Sequence, residues 1–326
     1  MSALTASRLA AILDAAGTPG GARAVDGYEA LGGGTYNSLY RVRLDGGGRL
    51  ILKLPPEPGT PRLTYEGELL VNEGEFYRRA GGTGVPVPEV VRLASDSLLM
   101  SEVPGEPWSA PAAAGLGDAE HDRLRRELGS YVAELHTVTG TRFGYPSEAV
   151  ATAGTWREAF GAMLEAVLAD AERFGARLPV SGERVRTLAR AAAPALDEVG
   201  VPALVHFDLW QGNILLTGEP GERRIGGVID GERMFWGDPL AEFVSLNLFG
   251  EPEDDPALLD GYRAGGGDTG FDTAARLRMA LYRCYLYLIM LVEAVPRGYP
   301  PARTAVTRRT AGPALILALG VISTTA

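Results

Sequence analysis

Two carboxylates and one amide, placed at the ends of two short apolar runs, constrain this chain more than any other feature. Residues 205–216 read Val-His-Phe-Asp-Leu-Trp-Gln-Gly-Asn-Ile-Leu-Leu. Asp208 is a carboxylate able to take a proton. Asn213, five residues on, offers an amide oxygen able to hold a hard cation. Ile214, Leu215 and Leu216 then read as a buried strand. A second apolar run, Gly227-Val-Ile-Asp230, ends in a carboxylate 14 residues past Leu216. The intervening 217–222, Thr-Gly-Glu-Pro-Gly-Glu, has the composition of a turn. The spacing predicts a hairpin that Asn213 opens and Asp230 closes, so that two oxygen ligands meet at one edge.

Taken alone, an Asp and an Asn near a turn are more often cap or turn residues than catalysts. The spacing His206-x-Asp208 followed by Asn213 is also that of phosphoryl-transfer loops. There the Asp receives a hydroxyl proton and the Asn holds magnesium. Upstream residues decide between the two readings.

Of 31 basic residues, one is a lysine, Lys53. A site needing a compact point charge rather than a planar fork would keep a lysine where the rest of the chain uses Arg. In Leu50-Ile-Leu-Lys-Leu54, the three leucines face one way and Ile51 and Lys53 the other. This strand follows a hairpin turn, Asp45-Gly-Gly-Gly48, and an earlier strand over 39–44. Before that strand lie Gly32, Gly33, Gly34, Thr35, Tyr36, Asn37 and Ser38. Such a loop lets backbone N–H groups approach phosphate oxygens. It is not a Walker loop, because no Gly-Lys-Ser/Thr follows. A lysine beside phosphates needs an acidic partner. Residues 64–80 read as a helix, with Glu73 at the edge of the side formed by Leu69, Leu70, Asn72, Phe76 and Tyr77. Glu66, Glu68 and Glu75 are expected in solvent. The run Leu98-Leu-Met-Ser-Glu-Val103 reads as a strand and hinge closed by Pro104-Gly105. Met100, Ser101 and Val103 would line a purine, with the backbone of Ser101 and Val103 reading its edge.

From residue 119 the pattern is helical, with an apolar face formed by Leu124, Leu128, Tyr131, Val132, Leu135 and His136 and further segments at 156–175, 181–198, 240–248, 256–264, 271–296 and 302–320. His136 reads as a structural histidine, and Asp238 before Pro239 as a helix N-cap. A short N-terminal helix is expected over 3–16.

Composition narrows the alternatives. A net charge of -10 leaves no basic footprint for nucleic acid. One cysteine, Cys284, excludes an internal disulfide framework, and three histidines without metal spacing exclude a zinc site of the usual kind. The N-terminus lacks a signal-peptide pattern. The longest apolar run, 314–322, is too short to span a bilayer. A cytoplasmic protein without a membrane partner is expected, as a monomer or weak homodimer.

In this order and spacing the residues resemble the aminoglycoside phosphotransferase family of small-molecule kinases. The resemblance covers about residues 28–248. It rests on the glycine loop, Lys53, Glu73, the 100–103 hinge, His206, Asp208, Asn213, Asp230 and Gly237-Asp238-Pro239. It implies an α+β, protein-kinase-like two-lobe fold. A nucleotide-binding lobe would span residues 1–103, with an antiparallel sheet and a helix. A mainly helical catalytic and substrate lobe would span 104–326. It implies ATP or GTP as donor, Mg2+ held by Asn213 and Asp230, and Asp208 as base toward a hydroxyl acceptor. The chain departs from the family at Phe207, where glycine is usual, at Trp210-Gln211, and at Gly231, where an aromatic is usual. These departures are expected to touch the acceptor side. Phe207 in place of the regulatory arginine, and about ten residues between Asp230 and the next helix, argue against a protein kinase.

For the acceptor, Glu232, Glu242, Glu251, Glu253, Asp254, Asp255 and Asp260 read either as carboxylates attracting a cation or as a solvated acidic surface. Trp210 and Trp236 read as stacking platforms or as core. An antibiotic hydroxyl (aminoglycoside, peptide or nucleoside type) is expected. The alternatives are a metabolic sugar or amino-alcohol kinase and a nucleotide-binding pseudokinase.

Overall fold

A computed structural model describes residues 4–18, 21–32, 36–111 and 115–326. The hairpin-rich N-terminal sequence folds as β1 (Val25–Leu31), β2 (Ser38–Leu44) and β3 (Arg49–Leu54). With β4 (Val90–Ala94) and β5 (Ser97–Ser101) these make an antiparallel sheet ordered β1-β2-β3-β5-β4. The alternation in β3 sorts its faces. Leu50, Leu52 and Leu54 pack with Leu9, Ile12 and Leu13 of α1 (Ala6–Ala15), whose Thr5 cap accepts the Arg8 N–H. Ile51 and Lys53 face the opposite side.

On that second side runs α2 (Leu69–Ala80), preceded by a 3₁₀ turn over Thr64–Glu68 rather than by the continuous helix expected over 64–80. The tighter turn brings Glu66 inward. It is 1 % exposed, pairs with Arg297 and accepts the Leu63 N–H at 2.7 Å, so it is not a solvated residue. The apolar face of α2 joins the large core that continues into the helical part.

The link 102–105 and a short strand β6 (Glu106–Pro107) lead to α3 (Asp118–Thr137), α4 (Trp156–Arg173) and α5 (Gly182–Ala192), which ends in a 3₁₀ turn over Ala193–Glu198. Strand β7 (Ala203–Val205) feeds the loop carrying Asp208. The hairpin β8 (Ile214–Thr217) and β9 (Arg224–Val228) follows, and then β10 (Phe235–Gly237). Four helices complete the fold: α6 (Phe243–Leu246), α7 (Pro256–Ala264), α8 (Thr273–Glu293) and α9 (Pro301–Thr325). The expected helix at 240–248 is a 3₁₀ turn, Pro239–Glu242, followed by the four residues of α6. Asp238 does cap it, accepting the Leu240 N–H at 3.0 Å. Helices α3 and α7 touch backbone to backbone because Gly129 and Gly261 meet there. A Cβ on Gly129 would lie 2.1 Å from the Leu258 carbonyl oxygen.

Helix α9 is much longer than the apolar run 314–322 within it. By length and composition it is long and apolar enough to cross a bilayer, with about 33 % of the qualifying window buried. The qualifying stretch reaches past the apolar run 314–322 and takes in Arg309. Helix α9 packs along α8 and α5 through Ala311, Leu315, Ala318, Leu319 and Ile322.

His136 is structural, as its helical position suggests. Its Nδ1 lies 2.8 Å from the Tyr262 hydroxyl. Nε2 has no hydrogen-bond partner among the described residues and lies 4.0 Å from Glu242. Burial holds the imidazole down at about 3. The unfolded chain takes up this proton near pH 6.5, so its stabilisation is complete above that pH and lost as pH falls toward 3. Between pH 7.5 and 5 this one group should remove about 2 kcal/mol of stability. His136→Gln keeps a partner for Tyr262 and should lose less over the same interval in urea unfolding. Equal losses in both proteins would refute the assignment.

Candidate active site

The β8–β9 register pairs Ile214 with Val228, and the Ile229 N–H donates to the Asn213 carbonyl at 3.0 Å. Asn213 and Asp230 therefore stand at the same end of this hairpin. Both line a cavity of about 780 Å³, together with Lys53, Glu73 and Asp208.

Lys53 projects from β3 into this cavity's floor and is 3 % exposed. Its Nζ lies 2.6 Å from Glu73 Oε2, 2.6 Å from Asp230 Oδ1 and 2.8 Å from Glu232 Oε2. Burial opposes its charge, but the three carboxylates outweigh burial and hold the ammonium well above the usual lysine range. Tyr77, one turn along α2 from Glu73, ties the group together. Its hydroxyl donates to Glu73 at 2.9 Å and accepts the Asp230 N–H at 2.9 Å. Asp230 adopts a left-handed conformation, φ 62°. Burial would raise its carboxyl, but Lys53 holds it below the usual range.

Asp208 sits where the loop after β7 turns. Phe207 before it has φ 61°, the region that glycine enters without strain, which accounts for a glycine being usual there. The phenyl ring is buried against Phe235 and Tyr285, which offsets the strain. The loop backbone is gripped from several sides. Glu242 accepts the N–H groups of His206 and Phe207 at 2.7 and 3.0 Å, and Ser245 accepts that of Leu209 at 3.0 Å. Burial pushes the Glu242 carboxyl up to about 7. His206 Nδ1 accepts the Asp208 N–H at 3.2 Å, which directs Nε2–H to the Ile229 carbonyl at 3.0 Å. Burial holds this imidazole down at about 4, so it is neutral. The Asn213 amide nitrogen donates to the Asp208 carbonyl at 2.8 Å. Burial pushes the Asp208 carboxyl up to about 6, against the pull of Arg233, whose Nε lies 3.7 Å away. Arg233 also binds Glu293 at 2.9 Å.

The expected nucleotide residues divide. Gly32 and Asn37 line the cavity, as do Met100, Ser101 and Val103. Ser38 begins β2, opposite Leu54. Gly33, Gly34 and Thr35 lie outside the described residues. At the hinge, the Ser101 N–H is given to the Glu89 carbonyl at 2.9 Å. That donor is spent, while the Val103 N–H has no partner among the described residues.

The expected acceptor residues mostly lie elsewhere. Trp210, 46 % exposed, lines the cavity. Trp236 is buried in β10 against Gly140 and belongs to the core. Glu251 pairs with Arg283 and Asp254 accepts the Glu251 N–H, both away from the cavity. Glu253, Asp255 and Asp260 are paired with Arg276, Arg125 and Arg263. Glu242 braces the loop that carries Asp208. Glu232 is in the cavity, against Lys53. The departures at 207 and 231 both meet core aromatics. A Cβ on Gly231 would lie 2.4 Å from the ring of Phe76, which packs edge-on to His206 at 4.8 Å. An aromatic from α2 thus fills the space beside the residue after Asp230.

The sequence profile of the APH phosphotransferase enzyme family matches residues 27–282. The chain belongs to this family. It is a small-molecule phosphotransferase, and the family's α+β, protein-kinase-like architecture is the one described above. Three solved structures illustrate the shared fold. A protein from Thermobifida fusca, provisionally described as a fructosamine-3-kinase, is 22 % identical, with 92 % of this chain and 94 % of that one covered and a TM-score of 0.66. The macrolide 2'-phosphotransferase MphH of Brachybacterium faecium is 23 % identical, covering 94 % and 98 %, TM-score 0.56. A streptomycin–ATP complex of APH(2'')-IIa is 16 % identical, covering 95 % and 97 %, TM-score 0.58. No curated protein shows significant sequence similarity to the chain. Within this phosphotransferase, Arg233, Glu293 and Arg297 are site residues that no motif signalled. They come from separate segments and meet only in the fold.

Proposed function

We propose that this phosphotransferase moves the γ-phosphate of ATP or GTP to a hydroxyl of a small molecule, acting in the cytoplasm. The observation that carries the reading is that Lys53 with Glu73, Asp208, Asn213 and Asp230 all open on one cavity. A pseudokinase would be expected to lack one of them. Asp208, on the loop leading to Asn213, accepts the hydroxyl proton as the acceptor oxygen attacks the γ-phosphorus, whose bond to the β–γ bridging oxygen breaks and releases the nucleoside diphosphate. Neutral His206 and Glu242 fix the backbone around it. Lys53 supplies positive charge toward the donor phosphates. The donor set also fits magnesium: the Asn213 amide spends its nitrogen on Asp208, leaving its oxygen for a cation, and Asp230 is a carboxylate facing the cavity. When bound there, magnesium neutralises phosphate charge.

The acceptor half of the cavity has apolar walls, Leu248, Leu286 and Met290, with Trp210, Tyr299 and Arg303 beside them. Its carboxylates, Asp208 and Glu293, are both engaged by Arg233. The Arg303 guanidinium stacks on Tyr299, 3.7 Å from the ring centre. A polycation finds little there to replace its hydration. The acceptor is therefore read as a hydroxyl compound with an apolar face and little positive charge. A peptide- or nucleoside-type antibiotic fits this better than an aminoglycoside, and resistance would follow from its O-phosphorylation. A panel of antibiotics, sugars and amino alcohols with γ-labelled ATP and GTP tests this. The expected result is a kcat/KM at least about tenfold higher for an apolar, weakly charged acceptor than for aminoglycosides, a difference of about 1.4 kcal/mol. Preference for a polyamine acceptor, or nucleotide binding without transfer to any class, would overturn it.

A further inference from the structure

We propose that Glu232 is a positioning residue that occupies the phosphate-binding donor of Lys53 and holds the glycine loop until a nucleotide displaces it. The inference rests on the nucleotide site proposed above. An ammonium has three donors. Lys53 donates to Asp230 at 2.6 Å and to Glu232 at 2.8 Å, and Glu73 Oε2 stands in ion-pair contact at 2.6 Å. With three carboxylate oxygens this close and the side chain 3 % exposed, a phosphate oxygen reaches Lys53 by displacing one of them. Glu73 is 1 % exposed and clamped by the Tyr77 hydroxyl. Asp230 is fixed through its backbone to the same tyrosine and is the carboxylate assigned to the cation. Glu232 is the group left to yield.

A second observation ties the same oxygen to the glycine loop. Glu232 Oε2 also accepts the Asn37 side-chain amide at 2.8 Å. Asn37 stands where the loop enters β2 and is 4 % exposed. Its Oδ1 is buried with no hydrogen-bond partner among the described residues. The contact is thus half satisfied, as suits one that is exchanged rather than permanent. The charge count points the same way. Three carboxylates crowd one ammonium, and the negative charge they carry beyond its own repels an incoming polyphosphate. The backbone of Glu232 stays in place meanwhile, because its carbonyl accepts the Asn72 amide at 3.2 Å.

Calorimetric titration of the full-length protein with ATP and with GTP, in EDTA and in magnesium, tests the proposal. Glu232→Gln keeps the volume and an acceptor for Asn37 but removes the competing charge. It should tighten metal-free nucleotide binding by about tenfold, the effect of deleting one like charge near a poorly solvated anion. The gain should shrink in magnesium, which already offsets part of the phosphate charge. Asn37→Ala should tighten binding by a smaller factor, and the double variant should fall short of the product of the two, since both act on one contact. Glu232→Asp retains the charge and should stay near wild type. Should Glu232→Gln fail to fold, Asn37→Ala carries the same expected sign. Weaker nucleotide binding in these variants would mean that Glu232 supports the phosphate site, and would overturn the proposal. Unchanged nucleotide affinity with a raised acceptor KM would place Glu232 on the acceptor, and would also overturn it. Wild-type protein binding neither ATP nor GTP would defeat the underlying nucleotide reading instead.

Discussion

Asp208→Asn is expected to lower kcat by about 10²–10⁴-fold, the usual contribution of a positioned proton acceptor, with nucleotide affinity nearly unchanged. The two effects separate because of how the residue is held. The Asp208 N–H donates to His206 and its carbonyl accepts from Asn213, so the loop is fixed through backbone groups that Asn retains. Only the carboxylate changes. Burial has brought that carboxyl to about 6, closer to neutrality than an exposed Asp. A base must be deprotonated to act, so wild-type kcat/KM should fall as pH drops through about 6, and the variant's residual activity should lack that limb. Two measurements decide the matter: nucleotide Kd by calorimetry, and the pH profile with a confirmed acceptor. Wild-type turnover in Asp208→Asn would return the residue to the status of a loop residue. A collapse in nucleotide affinity would mean that it supports the cation site.

The parts that could be read from sequence are those whose chemistry and placement are local. The Leu50–Leu52–Leu54 alternation alone determines that Lys53 faces away from α1. The 14-residue spacing from Leu216 determines that Asp230 returns to Asn213. Glu73 lies on the buried face of a helix with an unambiguous apolar stripe, and it reaches Lys53. The misplaced residues are charged groups whose partners are remote in sequence. Glu66 reaches Arg297, 231 positions away, and Glu232 reaches Lys53, 179 positions away. Nothing near a glutamate indicates whether a distant arginine or lysine will neutralise it, so the acidic stretch after Asp230 resembled a cation-attracting wall. Most of it is paired with arginines or bound to backbone N–H groups. Trp236 was ambiguous for a related reason. A tryptophan in a short strand is equally suited to a ligand wall or to the core, and Gly140 beneath it decides for the core.

Asp230→Asn should cost at least about 10³-fold in turnover, the scale on which positioned charge acts in phosphoryl transfer, without lowering the melting temperature. The stability half of this expectation follows from the geometry of one residue. Asp230 sits at φ 62°, where Asn is among the few residues at ease and Ala is strained. Asn also keeps the N–H that donates to Tyr77. What it removes is one of three carboxylates crowded around Lys53, and the remaining Glu73 and Glu232 still satisfy the ammonium. The substitution loses the attraction to Lys53 that holds this carboxyl low, and it also removes the repulsion by which Asp230 raises Glu73 and Glu232, so the two changes offset each other. Asp230→Ala loses the same charge but adds backbone strain of about 1–2 kcal/mol, so it should melt below Asp230→Asn. Function runs the other way, because the lost carboxylate is the one that shares the cavity with Asn213 at the end of the hairpin. In wild type, magnesium should strengthen ADP binding, and in Asp230→Asn that gain should disappear while metal-free ADP still binds. Differential scanning calorimetry and ADP titrations with and without magnesium measure the two halves independently. Magnesium-dependent turnover at the wild-type rate in Asp230→Asn would show that the cation is held elsewhere.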